Sequence, residues 1–157
     1  MQPIRPSYAD AIAQRSQTVL AGRTASSATR VVIVEDSRII LDRLNEMLGQ
    51  IPNVEVAGEV ETEMDAIALL RHMRWDVVVL DLQLKIGTGL GVLKALRDSG
   101  PASGGKIIVF TNFAFSQYRD RCFDLGADYF CDKSREFALV GELVAGVAAT
   151  KSGNNLP

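Results

Sequence analysis

The sequence predicts an α/β fold: a doubly wound, five-stranded parallel sheet with helices on both faces. Short, continuously apolar and β-branched runs such as VVIV (31–34) and VVVL (77–80) read as strands covered on both sides. They alternate with longer stretches whose apolar residues recur at helical spacing, joined by short loops, which is the pattern of a parallel sheet wound with helices. The length of 157 residues, with 47% hydrophobic and 23% charged residues, suits one ordinary globular domain. A domain of this size buries roughly two-thirds of its unfolded surface and needs neither disulfide nor metal to fold.

In chain order, RVVIVE (30–35) is the first strand, and SRIILDRLNEMLGQ (37–50) the first helix, with Ile39, Ile40, Leu44, Met47 and Leu48 as its apolar positions. VEVAGEV (54–60) is the second strand. TEMDAIALLRHM follows as a helix opened by Thr62, with Asp65 three residues on in a capping-box spacing. DVVVLDL (76–82) is the third strand, and GLGVLKALRDSG the third helix, stopped at Gly100-Pro101. KIIVFT (106–111) is the fourth strand, and FSQYRDRCFDLG a helix closed by Gly126. DYFCD (128–132) is a short fifth strand, and REFALVGELVAGVAAT (135–150) the last helix.

These elements place one domain at residues 30–150 and a polar, frayed tail at 151–157. Residues 1–29 are richer in Ser, Thr, Ala and Gln. Two readings stay open there: a short amphipathic helix capped by Ser7, with Tyr8, Ile12 and Val19 on one face, followed by a linker, or a disordered tail.

Composition excludes several classes of function. The net charge of −2 argues against non-specific nucleic-acid binding through a basic surface. Nothing approaches the roughly 20 apolar residues of a membrane span, and the N-terminus lacks the apolar core of a secretory signal, so a cytoplasmic protein is expected. Cys122 and Cys131 read as reduced, buried thiols, and the lone His72 has no companion that would complete a ligand set.

The chemistry lies at the strand ends. In a parallel α/β sheet, ligands bind beyond the carboxyl edge, where strand order reverses. Strand one ends in Glu35-Asp36, strand three in Asp81, strand four in Thr111, and strand five leads into Lys133. Three carboxylates at one edge repel each other unless a cation joins them. Mg²⁺ takes oxygen ligands from one or two carboxylates, water and phosphate oxygens, so Glu35, Asp36 and Asp81 supply a partial shell. One carboxylate can then act as nucleophile towards a phosphoryl group, with the Lys133 ammonium and the Thr111 hydroxyl on its oxygens.

With VVIVEDS, DVVVLDLQLKIGTGLGVLKALR, IIVFTN and GADYFCDKS in register, the segment from about Arg30 to Thr150 resembles the response-regulator receiver domain of bacterial two-component signalling. The resemblance implies a flavodoxin-like strand order 2-1-3-4-5. It implies Asp81 as phosphoacceptor, with Mg²⁺ held by Glu35, Asp36, Asp81 and the backbone carbonyl of Gln83. Thr111 and Lys133 become phosphoryl contacts, and Phe130 the switch aromatic paired with Thr111.

A stand-alone receiver follows as the expected function: a phosphoprotein switch and not an enzyme, beyond its own phosphoryl transfer and dephosphorylation. Its donor would be a sensor histidine kinase or phosphotransfer protein. Without a DNA-binding domain, its output would be protein contacts to a downstream target, with a homodimer through the face of helix 4, strand 5 and helix 5. The alternative is a receiver-fold interaction scaffold that is never phosphorylated.

Three positions depart from the family pattern. Lys85 stands where Pro is usual, which predicts a less restrained loop. Asn112 stands where a small residue is usual, which predicts narrower access to Asp81. Ser134 replaces the Pro after the lysine and is expected to cap the last helix. Rival motifs fail on the residues. GPASGGKI (100–107) lacks the hydroxyl residue of a phosphate loop and runs helix to strand. GTGLG (87–91) is not a dinucleotide fingerprint, and Gln83 stands where a haloacid-dehalogenase-type hydrolase needs a second Asp.

Overall fold

A computed structural model describes residues 28–99 and 104–153 of the chain. The two readings of the N-terminal extension, the Gly100-Pro101 stop and the last four residues of the tail lie outside the described residues.

The elements alternate as β1 (Thr29–Val34), α1 (Arg38–Gly49), β2 (Val54–Val60), α2 (Glu63–His72), β3 (Val77–Leu80), α3 (Gly89–Asp98), β4 (Lys106–Thr111), α4 (Ser116–Asp124), β5 (Tyr129–Asp132) and α5 (Phe137–Gly153). All neighbouring strands pair in parallel, in the order β2-β1-β3-β4-β5. The order reverses between β1 and β3, which brings the ends of those two strands together.

Side chains alternate along each strand and build two cores. Val32, Val34, Val78, Leu80 and Val109 pack with α2, α3 and α4 on one face. Val31, Ile33, Val77, Val79, Ile108 and Phe110 pack with α1 and α5 on the other. All four residues of β3 are buried, as the continuous apolar run requires. Each such side chain contributes on the order of 1.5–3 kcal/mol by leaving water.

Several boundaries differ from the sequence reading. In α1 the buried positions are Leu41, Leu44 and Leu48, and Ile39 is 73% exposed. Leu41, Leu44 and Leu48 share one face of a 3.6-residue helix, and Ile39 falls outside that stripe. Thr62 caps α2 as expected, accepting the Asp65 N–H at 3.2 Å. Ser134 does not cap α5, which begins three residues later. Its N–H and its hydroxyl both donate to Asp132 Oδ1, at 2.8 and 2.7 Å, and form a turn instead. The apolar excess of α5 is less open than its sequence suggests, since Leu139, Leu143 and Val147 are partly buried against the second core.

Helix α5 also runs three residues past its expected end, because Lys151 is anchored. Its ammonium donates to Ala28 O at 3.0 Å and to Asp76 Oδ2 at 2.9 Å. Asp76 also accepts the Arg30 N–H at 2.8 Å. Burial alone would raise the Asp76 carboxyl, but the Arg30 N–H and the Lys151 ammonium outweigh it and hold it below its ordinary value. A depressed carboxyl stabilises the fold above its unfolded pKa of about 3.9, and that contribution disappears as pH falls through the folded value. Asp76→Ala is therefore expected to cost about 1–3 kcal/mol at neutral pH. In urea melts the difference from wild type should shrink below about pH 4; an equal difference at both pH values would refute the assignment.

Candidate functional site

The carboxyl edge gathers the five chemistry-bearing residues. Glu35 leaves β1 with its N–H donating to Val60 O at 3.0 Å, which ties it to β2. Asp81 follows β3 directly, and its N–H donates to Val34 O at 3.0 Å. Thr111 ends β4, and its carbonyl accepts the Lys133 N–H at 3.0 Å. Backbone bonds between neighbouring strand ends thus position Glu35, Asp81, Thr111 and Lys133.

The Lys133 ammonium lies between two carboxylates, 2.6 Å from Glu35 Oε2 and 2.7 Å from Asp81 Oδ2. The three side chains are 6%, 2% and 6% exposed, in that order. Remaining acceptors are used as well: Glu35 Oε1 accepts the Ser37 N–H at 3.0 Å, and Asp81 Oδ1 the Gln83 N–H at 3.2 Å. Burial pushes the Glu35 carboxyl above its ordinary value, against the Lys133 hydrogen bond and charge, while nearby Asp81 adds to the rise.

Asp36 is exposed beside this triad. One oxygen each from Glu35, Asp36 and Asp81 lies within 4.8 Å of the others. An all-oxygen, carboxylate-rich donor set with one solvent-facing member fits a hard divalent cation that keeps part of its water shell. A cavity of about 370 Å³ opens next to Glu35, walled by charges of both signs that include Arg38, Glu61, Asp65 and Lys85.

Thr111 is fully buried, and its Oγ1 accepts the Phe113 N–H at 3.1 Å. Phe130, 8% exposed, packs in the core beneath α2, α3 and α4. Asn112 is exposed. Cys122 and Cys131 are free and buried, and desolvation pushes both thiols up to about 11, far from a reactive thiolate.

The loop after Asp81 is tied down more firmly than Lys85 in place of Pro predicts. The Glu63 N–H donates to Ile86 O at 3.0 Å, Thr88 N–H to Glu63 Oε2 at 2.8 Å, and Lys85 pairs with Glu61 at 3.8 Å. The Gly89 N–H donates to Leu82 O at 2.9 Å, and a Cβ at Gly89 would run into the Asp81 carbonyl. Glu63, Thr88 and Gly89 escape a motif-based reading. Their trace in the sequence is the glycine pattern at 87, 89 and 91.

The profile of the response regulator receiver domain matches residues 31–144. The chain belongs to the response regulator receiver domain family. Curated relatives of this receiver include the transcriptional regulatory protein DesR of Bacillus subtilis, 31% identical over 96 residues, covering 61% of this chain and 46% of DesR. Another is protein-glutamate methylesterase/protein-glutamine glutaminase 5 of Myxococcus xanthus, 32% identical over 130 residues, 79% of this chain and 37% of that one. The receiver spans about half or less of the length of these two relatives. Among solved structures, a CheY-like receiver domain protein from Methanospirillum hungatei superposes with a TM-score of 0.69 at 21% identity, covering 82% of this chain and 99% of that one. The likeness extends the flavodoxin-like architecture to this receiver. Among the described residues, no helix is long and apolar enough to cross a membrane.

Proposed function

We propose that this receiver is a phosphorylation-operated switch in which Asp81 accepts a phosphoryl group from a sensor histidine kinase or phosphotransfer protein. The observation that carries this reading is the buried Lys133 ammonium, placed 2.7 Å from Asp81 and 2.6 Å from Glu35. An ammonium there can follow the charge from the free carboxylate to the phosphoryl oxygens.

In this reading an Asp81 carboxylate oxygen attacks phosphorus, the bond to the donor breaks, and the leaving group keeps its electron pair. Glu35, Asp36, Asp81 and the Gln83 carbonyl would hold Mg²⁺, which when bound neutralises phosphoryl charge. Asp81 supplies the nucleophile, Lys133 binds one phosphoryl oxygen, and the Thr111 hydroxyl swings to another. Phe130 repacks behind Thr111, so phosphorylation shifts the population between two packings. A full switch requires roughly 5.5 kcal/mol of differential binding, which charge-assisted contacts plus the metal can supply.

In this reading the receiver's own chemistry is the gain and loss of its phosphoryl group, and it acts as a cytoplasmic signalling switch. Output through protein contacts draws support from the exposed apolar side chains Phe115, Phe123 and Tyr129 around α4 and β5, 58%, 39% and 36% exposed. In this reading these side chains, more than α5, are offered to a downstream target or a second copy.

The test is incubation with Mg²⁺ and acetyl phosphate, read by intact mass. A single phosphoryl adduct that requires Mg²⁺ is expected. No adduct, with kinase or with small donor, would turn the assignment to the unphosphorylated scaffold.

A further inference from the structure

We propose that Glu63, on the first turn of α2, is a positioning residue for phosphoryl transfer: it fixes the loop that carries Asp81 and the Gln83 carbonyl. The inference rests on the reading of Asp81 as phosphoacceptor and of Gln83 as a metal ligand.

The Glu63 side chain crosses from α2 to the N-terminus of α3. Its Oε2 accepts the N–H of Thr88, the residue that caps α3, at 2.8 Å. The Thr88 Oγ1 accepts the Gly91 N–H at 3.1 Å, so α3 is capped once from within and once from α2. Helix α3 carries no acid in its own first turn, and Glu63 supplies the negative charge that the helix dipole favours there. Gly87 and Gly91 keep the space open, because a Cβ at either position would overlap the Glu63 side chain. Gly87 also has φ +85°, a conformation that glycine adopts without strain.

From Thr88 the restraint passes to the site in two short steps. Thr88 forms an antiparallel bridge with Gln83, and the neighbouring Gly89 N–H binds Leu82 O at 2.9 Å. Gln83 N–H in turn donates to Asp81 Oδ1 at 3.2 Å. The Glu63 N–H holds the middle of the same loop through Ile86 O at 3.0 Å. Glu63 thus grips both ends of Ile86–Thr88 and does for this loop what a rigid residue at 85 would do. Outer partners of metal ligands typically change affinity by about 10–100-fold when removed.

The test uses wild type, Glu63→Ala, Glu63→Gln, Glu63→Asp and the double variant Glu63→Ala/Lys85→Pro. Mg²⁺ is titrated without any phosphodonor and read by the amide NMR shifts of Gln83 and Thr88. The Mg²⁺ dependence of phosphorylation by acetyl phosphate is then measured. Glu63→Ala should raise the half-saturating Mg²⁺ concentration about tenfold in both experiments, with the rate at saturating Mg²⁺ within about twofold of wild type. Gln, whose amide oxygen can accept the Thr88 N–H, should restore it; Asp, one methylene short, should not. Proline at 85 should recover most of the loss. Glu63→Ala or Glu63→Asp binding Mg²⁺ like wild type would overturn this role alone. A wild type whose amides ignore Mg²⁺ would overturn the reading of the metal site as well.

Discussion

Asp81→Asn is expected to take up no phosphoryl group from acetyl phosphate under conditions that label wild type, with its circular dichroism unchanged. The amide matches the carboxylate in size, and its oxygen can still accept the Gln83 N–H that now lies 3.2 Å from Asp81. What it lacks is the anionic nucleophile. The fold survives because Lys133 keeps its second partner, Glu35, at 2.6 Å, and because removing one of three clustered carboxylates relieves repulsion. Intact-mass spectrometry checks the first half and thermal unfolding the second. A phosphoryl adduct on the Asn variant would move the acceptor to another residue.

Lys133→Met should produce the largest loss of stability of any single substitution at the site. Methionine keeps an apolar stem but loses the ammonium, which lies 5.9 Å from the Phe110 ring centroid, and leaves Glu35 and Asp81 buried without their shared cation. Breaking such a pair costs about 3–5 kcal/mol, which lowers the unfolding midpoint by on the order of 10 °C. The loss should be greatest near neutral pH. Burial already raises the Glu35 carboxyl, and without the ammonium to oppose it the group takes up a proton at still higher pH. Acidification therefore narrows the gap from wild type. Added Mg²⁺ should restore more stability to the variant than to wild type, because it replaces the missing charge. Calorimetry with and without Mg²⁺ reads both effects; a midpoint equal to wild type would show that Lys133 does not neutralise the pair.

The fold was legible because its signals are local. Continuous β-branched runs mark strands covered on both faces, and the structure returns β2 and β4 with their expected ends. The clustering at the candidate site was legible for the same reason: strand ends carry Glu35, Asp36, Asp81, Thr111 and Lys133, and a parallel sheet brings strand ends together. What was not legible depends on contacts between distant segments. Helix α5 runs past residue 150 because Lys151 meets Asp76, 75 positions away. Ser134 turns to Asp132 where a nearby helix start made it look like a cap. Glu63 reads as an ordinary first-turn acid of α2, and only the folded chain shows it reaching Thr88, 25 positions on. In the sequence the glycines at 87, 89 and 91 read only as a failed dinucleotide motif. Their spacing records two close approaches, one to the Glu63 side chain and one to the Asp81 carbonyl.

If Thr111 switches as proposed, the hydrogen bond from Phe113 N–H to Thr111 Oγ1, at 3.1 Å, would be its latch. In the proposed switch the Thr111 side chain rotates towards the phosphoryl group and carries Oγ1 away from that N–H, so activation would open the latch at a cost of about 1 kcal/mol. Phe113 also stands edge-on to Tyr118, which in turn leans on Phe115, with ring centroids 6.1 and 6.3 Å apart. The released amide therefore sits at the root of an aromatic ladder that climbs from the buried hydroxyl to the surface of α4. In that proposed switch the Phe113 amide would be a built-in indicator of whether the latch is shut.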